Sequence, residues 1–166
     1  YVDKHGLVQS SDLICVYTQP NCFSSARGWW MFSAYGFTTA VLQGGVAEWE
    51  KAELPIESGP YKEPEVLPAH PPEKVHLRKE LVKDLSEMIS LVSDKAVIVD
   101  ARSQNRFMGI EAEPRPGVSQ GRIPGSINVP FRSVLEDEDM TRFKSVDELR
   151  QVFNSYNVDL SEPGLI

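Results

Sequence analysis

The chain has 166 residues, 41% hydrophobic and 25% charged, which suits one ordinary globular domain or two small ones. Its net charge of −7 argues against nucleic acid or an anionic membrane as partner, since both select a clustered basic face; a small anion stays open, because local arginines outweigh net charge. No apolar run approaches the ~20 residues of a membrane span, residues 1–12 are polar and mixed in charge, unlike a signal or transit peptide, and two cysteines, Cys15 and Cys22, make no disulfide framework and point to a reducing compartment.

In chain order, "DLICVYT" (12–18) predicts a short strand, with Cys15 as a packed core thiol. A loop carrying Cys22 follows, then a helix from about Ala26, capped by Ser24 or Ser25 and ended by a left-handed Gly36. "TTAVLQ" (38–43) reads as a second strand, Gly44–Gly45 as a turn, and 46–52 as a short helix stopped ahead of Pro55. Trp29, Trp30 and Trp49 are read as core and domain-packing residues. Strands alternating with helices at this spacing indicate a parallel α/β sheet.

From Ser58 to Pro72 prolines forbid helix and break strands, so the stretch reads as an interdomain linker, with His70 as a solvated loop residue. A helix is expected over 79–93, where Leu81, Leu85, Met88, Ile89 and Val92 share one face. "AVIVDAR" (96–102), apolar on both faces, predicts a central strand of a parallel sheet. "INVP" (127–130) is a further strand, "EDED" (136–139) a solvated loop, and Ser145 with Glu148 the capping box of a last helix. The chain stops on Leu165–Ile166, after a polar turn like the one that leads into the first strand. An α/β domain lacking half its sheet leaves an edge unpaired, so the expectation is a fragment of a longer chain.

The stretch 26–59, with Trp29–Trp30–Met31–Phe32 and Gly44–Gly45 ahead of Trp49, resembles the end of the first domain of two-domain rhodanese-family sulfurtransferases. Residues 99–131, with Asp100-x-Arg102 and the run from Ile123 to Pro130, resemble the start of their second domain; Gly121–Arg122 departs from the glycine–histidine common there. The resemblance implies an α/β rhodanese-like fold, a parallel sheet flanked by helices, in two tandem domains each partly present. Residues 1–57 would be the C-terminal half of the first, non-catalytic domain, 58–73 the proline-rich linker, and 74–166 the N-terminal half of the second, catalytic domain.

In this family the nucleophile is a cysteine on a loop between a strand and a helix of the second domain. That loop is expected just after Ile166, so no catalytic residue is assigned within the chain. Backbone N–H groups at a helix N-terminus stabilise a thiolate and its persulfide. Aligning the helix after Cys22 with the one after the active loop puts Gln19 in the nucleophile's place. The Cys22-to-Arg27 spacing does mimic single-domain rhodaneses, but the loop lacks the glycine a tight anion cradle usually needs.

The resemblance implies substrate-binding roles for Arg106 and Arg115. The first matches the family's carboxylate- or sulfonate-binding arginine, the second an arginine typical of its mercaptopyruvate-using branch. The alternative is that they are surface arginines paired with Glu111 or Glu113. Asp100 and Arg102 are expected to form a structural ion pair. The implied activity is transfer of sulfur from mercaptopyruvate, or alternatively thiosulfate, to cyanide, a small thiol or thioredoxin, in the cytoplasm or mitochondrion. No metal or cofactor is expected. A catalytically inactive rhodanese-like regulatory or binding module is the other class.

Overall fold

A computed structural model describes residues 12–60, 76–136 and 140–161. The polar opening at 1–11, the linker from residue 61 with His70, residues 137–139 of the acidic run and the closing Leu165–Ile166 lie outside the described residues. By its contacts the chain divides into two compact units, Tyr1–Val82 and Lys83–Ile166.

In the first unit, β1 (Leu13–Val16) leads through α1 (Ser25–Ala34) to β2 (Thr38–Val41), then to α2 (Gly45–Lys51). The strands are parallel, in register from Leu13 against Thr38 to Val16 against Val41, as a helical crossover requires. A Cβ on Gly28 would lie 3.0 Å from Val16 Cγ1, so glycine lets α1 lie close on β1. Gly36 takes φ +80°, ending α1 as its sequence position predicts. The chain then folds back, placing the Phe32 and Phe37 rings edge to face at 6.0 Å. Arg78 N–H donates to the Ala34 carbonyl at 2.8 Å. That contact ties residues just before Val82 to this unit.

Two expectations about this unit are corrected. Cys15 is exposed rather than packed. Side chains alternate along β1: Ile14 and Val16 are partly covered, while Leu13, Cys15 and Tyr17 are open. Two strands with a helix on one face leave the other face bare. Along it runs a cleft of about 420 Å³, lined by Cys15, Tyr17, Leu42, Val46, Trp49 and Ile56. The tryptophans are not core either: Trp29 and Trp30 are 42% exposed and Trp49 38%. Trp49 is nonetheless fixed, its indole N–H donating to the Pro55 carbonyl at 2.9 Å.

The helix expected from 79 starts only at Leu85: Lys79–Leu81, still in the first unit, form a separate 3-10 turn, and α3 of the second unit spans Leu85–Ser93. Asp84 sets that start. It accepts from Glu87 N–H while the Glu87 carboxylate accepts from Asp84 N–H, a complete capping box, and Val82 just before it is extended. β3 (Val99–Asp100) pairs in parallel with β4 (Ile127–Asn128). Both are shorter than their apolar runs predict, because a strand lasts only as long as its ladder. Single bonds carry the pairing further: Ile127 N–H to the Ile98 carbonyl at 2.8 Å and Phe131 N–H to the Ala101 carbonyl at 2.9 Å. Between the strands lie α4 (Gln104–Phe107) and a long loop; after them come a 3-10 turn at Phe131–Val134 and α5 (Val146–Ser155). The Ser145–Glu148 capping box of α5 is present as read from the sequence. Ile98, Val129, Leu135 and Val158 are the buried apolar residues described here. Parallel strands joined through helices make both units α/β, as expected.

Candidate functional site

The charged cluster of the second unit starts where β3 ends. Asp100 accepts from the Arg102 backbone N–H at 2.9 Å and from Arg102 Nε and Nη2. Asn128, on β4, donates to the carbonyls of Asp100 at 2.8 Å and Arg102 at 2.9 Å, locking the turn. Arg102 Nη2 also donates to the Gly121 carbonyl at 2.8 Å, and its Nη1 to Glu113 Oε1 at 2.7 Å. The guanidinium thereby joins both ends and the middle of the 103–121 segment. The structural ion pair expected of Asp100 and Arg102 is present and extends to Glu113.

Arg106, on α4, reaches the same carboxylate from another side. Its Nη2 donates to Glu113 Oε2 at 2.5 Å and its Nε to Glu113 Oε1 at 3.3 Å. The four groups form a chain of alternating charge, Asp100–Arg102–Glu113–Arg106. The Arg102 hydrogen bond holds the Asp100 carboxyl below the usual carboxylate range, opposed by desolvation. Arg106, and less strongly Arg102, does the same for Glu113.

The two arginines differ in what they have left. A guanidinium carries five N–H donors. Arg102 uses Nε, both hydrogens of Nη2 and one of Nη1. Arg106 uses only its Nε/Nη2 edge, leaving Nη1 without a partner among the described residues. Its side chain is 28% exposed, so that free edge can meet an incoming anion. Arg115 is exposed and makes no hydrogen bond or ion pair among the described residues. It stands two residues beyond Glu113, whose carboxylate is bonded to Arg106, and prolines on both sides restrict its backbone. Arg122, the departure from the family pattern, stacks on Phe107 with its guanidinium carbon 4.9 Å from the ring centroid. A cleft of about 520 Å³ beside α4 is lined by Gln104, Phe107, Met108, Asn128 and Tyr156, among others, but by neither Arg106 nor Arg115.

Glu113 is the residue whose importance the sequence underplays. It appears there only as an alternative partner for an arginine. No spacing rule reveals it, since α4 has four residues and Glu113 lies outside it.

In the first unit the Cys22 Sγ lies 3.1 Å from Ser24 Oγ. Ser24, the N-cap residue of α1, makes no side-chain bond to the helix. Its hydrogen bond to the sulfur is the main cause that moves the Cys22 thiol below its ordinary pKa. The left-handed turn that would suit a glycine is taken by Asn21, at φ +62°. Cys22 N–H, however, is already bonded to the Gln19 carbonyl at 3.2 Å, so it cannot help cradle an anion. No contact joins Arg27 to Cys22 among the described residues.

Comparison with known proteins adds to this geometry. Residues 81–158 match the family model described as a rhodanese-like domain. The chain is 37% identical over 145 residues to the 3-mercaptopyruvate sulfurtransferase of Homo sapiens, covering 85% of this chain and 46% of that protein. It is 38% identical over 165 residues to the thiosulfate sulfurtransferase of Rattus norvegicus, covering 97% and 51%. The crystal structure of SseA from Escherichia coli, described as a 3-mercaptopyruvate sulfotransferase with the rhodanese fold, superposes with a TM-score of 0.69 at 29% identity, over 87% of this chain and 52% of that one. The chain spans about half the length of the curated relatives it matches.

Proposed function

We propose that this chain, whose residues 81–158 match the rhodanese-like domain model, is part of a rhodanese-family sulfurtransferase that uses 3-mercaptopyruvate. Sulfur passes from the donor to a cysteine thiolate and then to cyanide, a small thiol or a protein thiol such as thioredoxin. The two units are read as parts of tandem domains, 1–57 and 74–166, joined by 58–73, acting in the cytosol or mitochondrion.

In the first step the thiolate attacks the donor sulfur. The carbon–sulfur bond breaks, its electron pair becomes the enolate of pyruvate, and a proton on carbon completes the product. The sulfur stays behind as a persulfide, which the acceptor thiol or cyanide takes in a second displacement. The chain's own part is to hold the donor. Arg106 and Arg115 can bond a carboxylate and the adjacent carbonyl oxygen, on which negative charge grows as the enolate forms. The unpartnered Nη1 of Arg106 carries this reading.

Thiosulfate is the second donor to consider, because the rat thiosulfate sulfurtransferase matches at 38% identity. The two are separated by shape: mercaptopyruvate is planar, thiosulfate compact and tetrahedral. In the whole protein, Arg115→Ala is expected to lower kcat/KM for mercaptopyruvate roughly ten- to hundredfold and for thiosulfate much less. Arg106→Ala lowers both. Equal losses in the Arg115 variant would favour thiosulfate, and no loss in either variant would refute the donor site.

A further inference from the structure

Glu113 lies in a loop whose other charged residues, Glu111, Arg115 and Arg122, are exposed, yet its own side chain is only 6% exposed. Burying a carboxylate is unfavourable unless cations and donors replace its water. Here both oxygens are engaged, Oε1 by Arg102 and Arg106 together and Oε2 by Arg106. Arg102 is itself anchored to Asp100 and to the Gly121 carbonyl, so Glu113 hangs from a fixed point. It offers Arg106 a fixed two-oxygen face.

We propose that Glu113 is a positioning residue for donor recognition, binding the Nε edge of Arg106 so that the Nη1 edge faces the donor. This rests on the reading of Arg106 and Arg115 as donor ligands. A second effect follows from charge. Asp100 and Glu113 offset Arg102 and Arg106 charge for charge, and Glu111 adds a further negative charge acting on Arg106, so an anion gains little from net charge at Arg106 and must fit its free edge. Glu113 therefore favours a planar carboxylate beside a carbonyl over a compact anion that needs only positive potential.

Glu113→Gln puts an N–H group against guanidinium donors it cannot accept from, and leaves the site one unit more positive. Mercaptopyruvate loses the oriented edge, whereas thiosulfate is compensated by the added charge. Glu111→Gln is the charge control: it removes the same charge from the same loop, acts on Arg106 only through space, and its carboxylate is bonded by the Ser103 hydroxyl at 3.3 Å and not by either arginine.

The experiment has two readouts. In the whole protein, the Arg106 Nε–Hε resonance should be distinct and slow to exchange. It should stay so in Glu111→Gln and broaden in Glu113→Gln. In the whole protein, the ratio of kcat/KM for mercaptopyruvate over thiosulfate should fall about tenfold in Glu113→Gln and stay within about twofold in Glu111→Gln. A fall of equal size for both donors would make Glu113 structural and overturn the inference, as would the same ratio change in both variants. If Arg106→Ala and Arg115→Ala leave both donors untouched, the donor reading fails first and takes this inference with it. Should Glu113→Gln not fold, Glu113→Asp decides by the same ratio, since it keeps the charge but is one methylene too short to serve both arginines.

Discussion

Arg102 and Arg106 stand four residues apart and share one carboxylate, but they differ in the donors left over. Arg102 ties Asp100, Glu113 and the Gly121 carbonyl together, a task a lysine's point charge could not perform. Arg106 keeps one edge open. The sequence showed the Asp100 part of the first role, because Asp-x-Arg at the end of a strand brings the two groups within reach. It could not show Glu113, which reaches Arg106 through a loop without periodicity. Cys22 is a second residue whose surroundings the sequence left undetermined. The Ser24 hydroxyl at 3.1 Å favours the thiolate, so the sulfur ionises at lower pH than an ordinary thiol. Alkylation of Cys22 by iodoacetamide, followed by peptide mass spectrometry against pH, should give a midpoint below that of a free cysteine peptide measured alongside. Ser24→Ala should move the midpoint back up; an unchanged midpoint would mean the serine does not act on the sulfur.

At the scale of elements, helix starts were legible where a side chain caps them. Ser145 and Glu148 fix α5 as read, and Asp84 with Glu87 overrides the apolar periodicity that extended α3 back to residue 79. Strand lengths were not legible, because a ladder ends where its partner ends: only Val99 and Asp100 of the run at 96–102 pair in register with β4. The α1–β1 contact offers a quantitative test. Alanine exceeds glycine in helix propensity by about 1 kcal/mol, which alone predicts that Gly28→Ala stabilises α1. A Cβ 3.0 Å from Val16 Cγ1 instead overpacks a stiff β-branched side chain, at about 1–3 kcal/mol. Gly28→Ala should therefore leave Tm unchanged or lower it. Combined with Val16→Ala, the same substitution should become favourable relative to Val16→Ala alone. Additive effects in that double-mutant cycle would show that helix and strand do not touch there.

Taken as a whole molecule, the chain divides by its contacts at Val82, and Arg78 on the first side of that division is bonded to Ala34, a contact that no composition reveals. Ala34 and Phe37 in the first unit, and Ile98, Val129, Leu135 and Val158 in the second, are the buried apolar residues among those described. Leu13, Tyr17, Leu85, Ile89 and Val146 remain exposed. This balance has a calorimetric consequence. The heat capacity of unfolding comes mainly from apolar surface newly wetted, ordinarily about 12–15 cal/mol/K per residue. Among the described residues of this chain, which spans about half the length of its relatives, many apolar side chains are open before unfolding starts, so scanning calorimetry of the 166-residue chain should give a value per residue below that range. The stability curve then becomes a shallow arch, with cold unfolding displaced to lower temperature. A heat capacity of ordinary size would mean that the open faces of β1 and α3 find cover in solution.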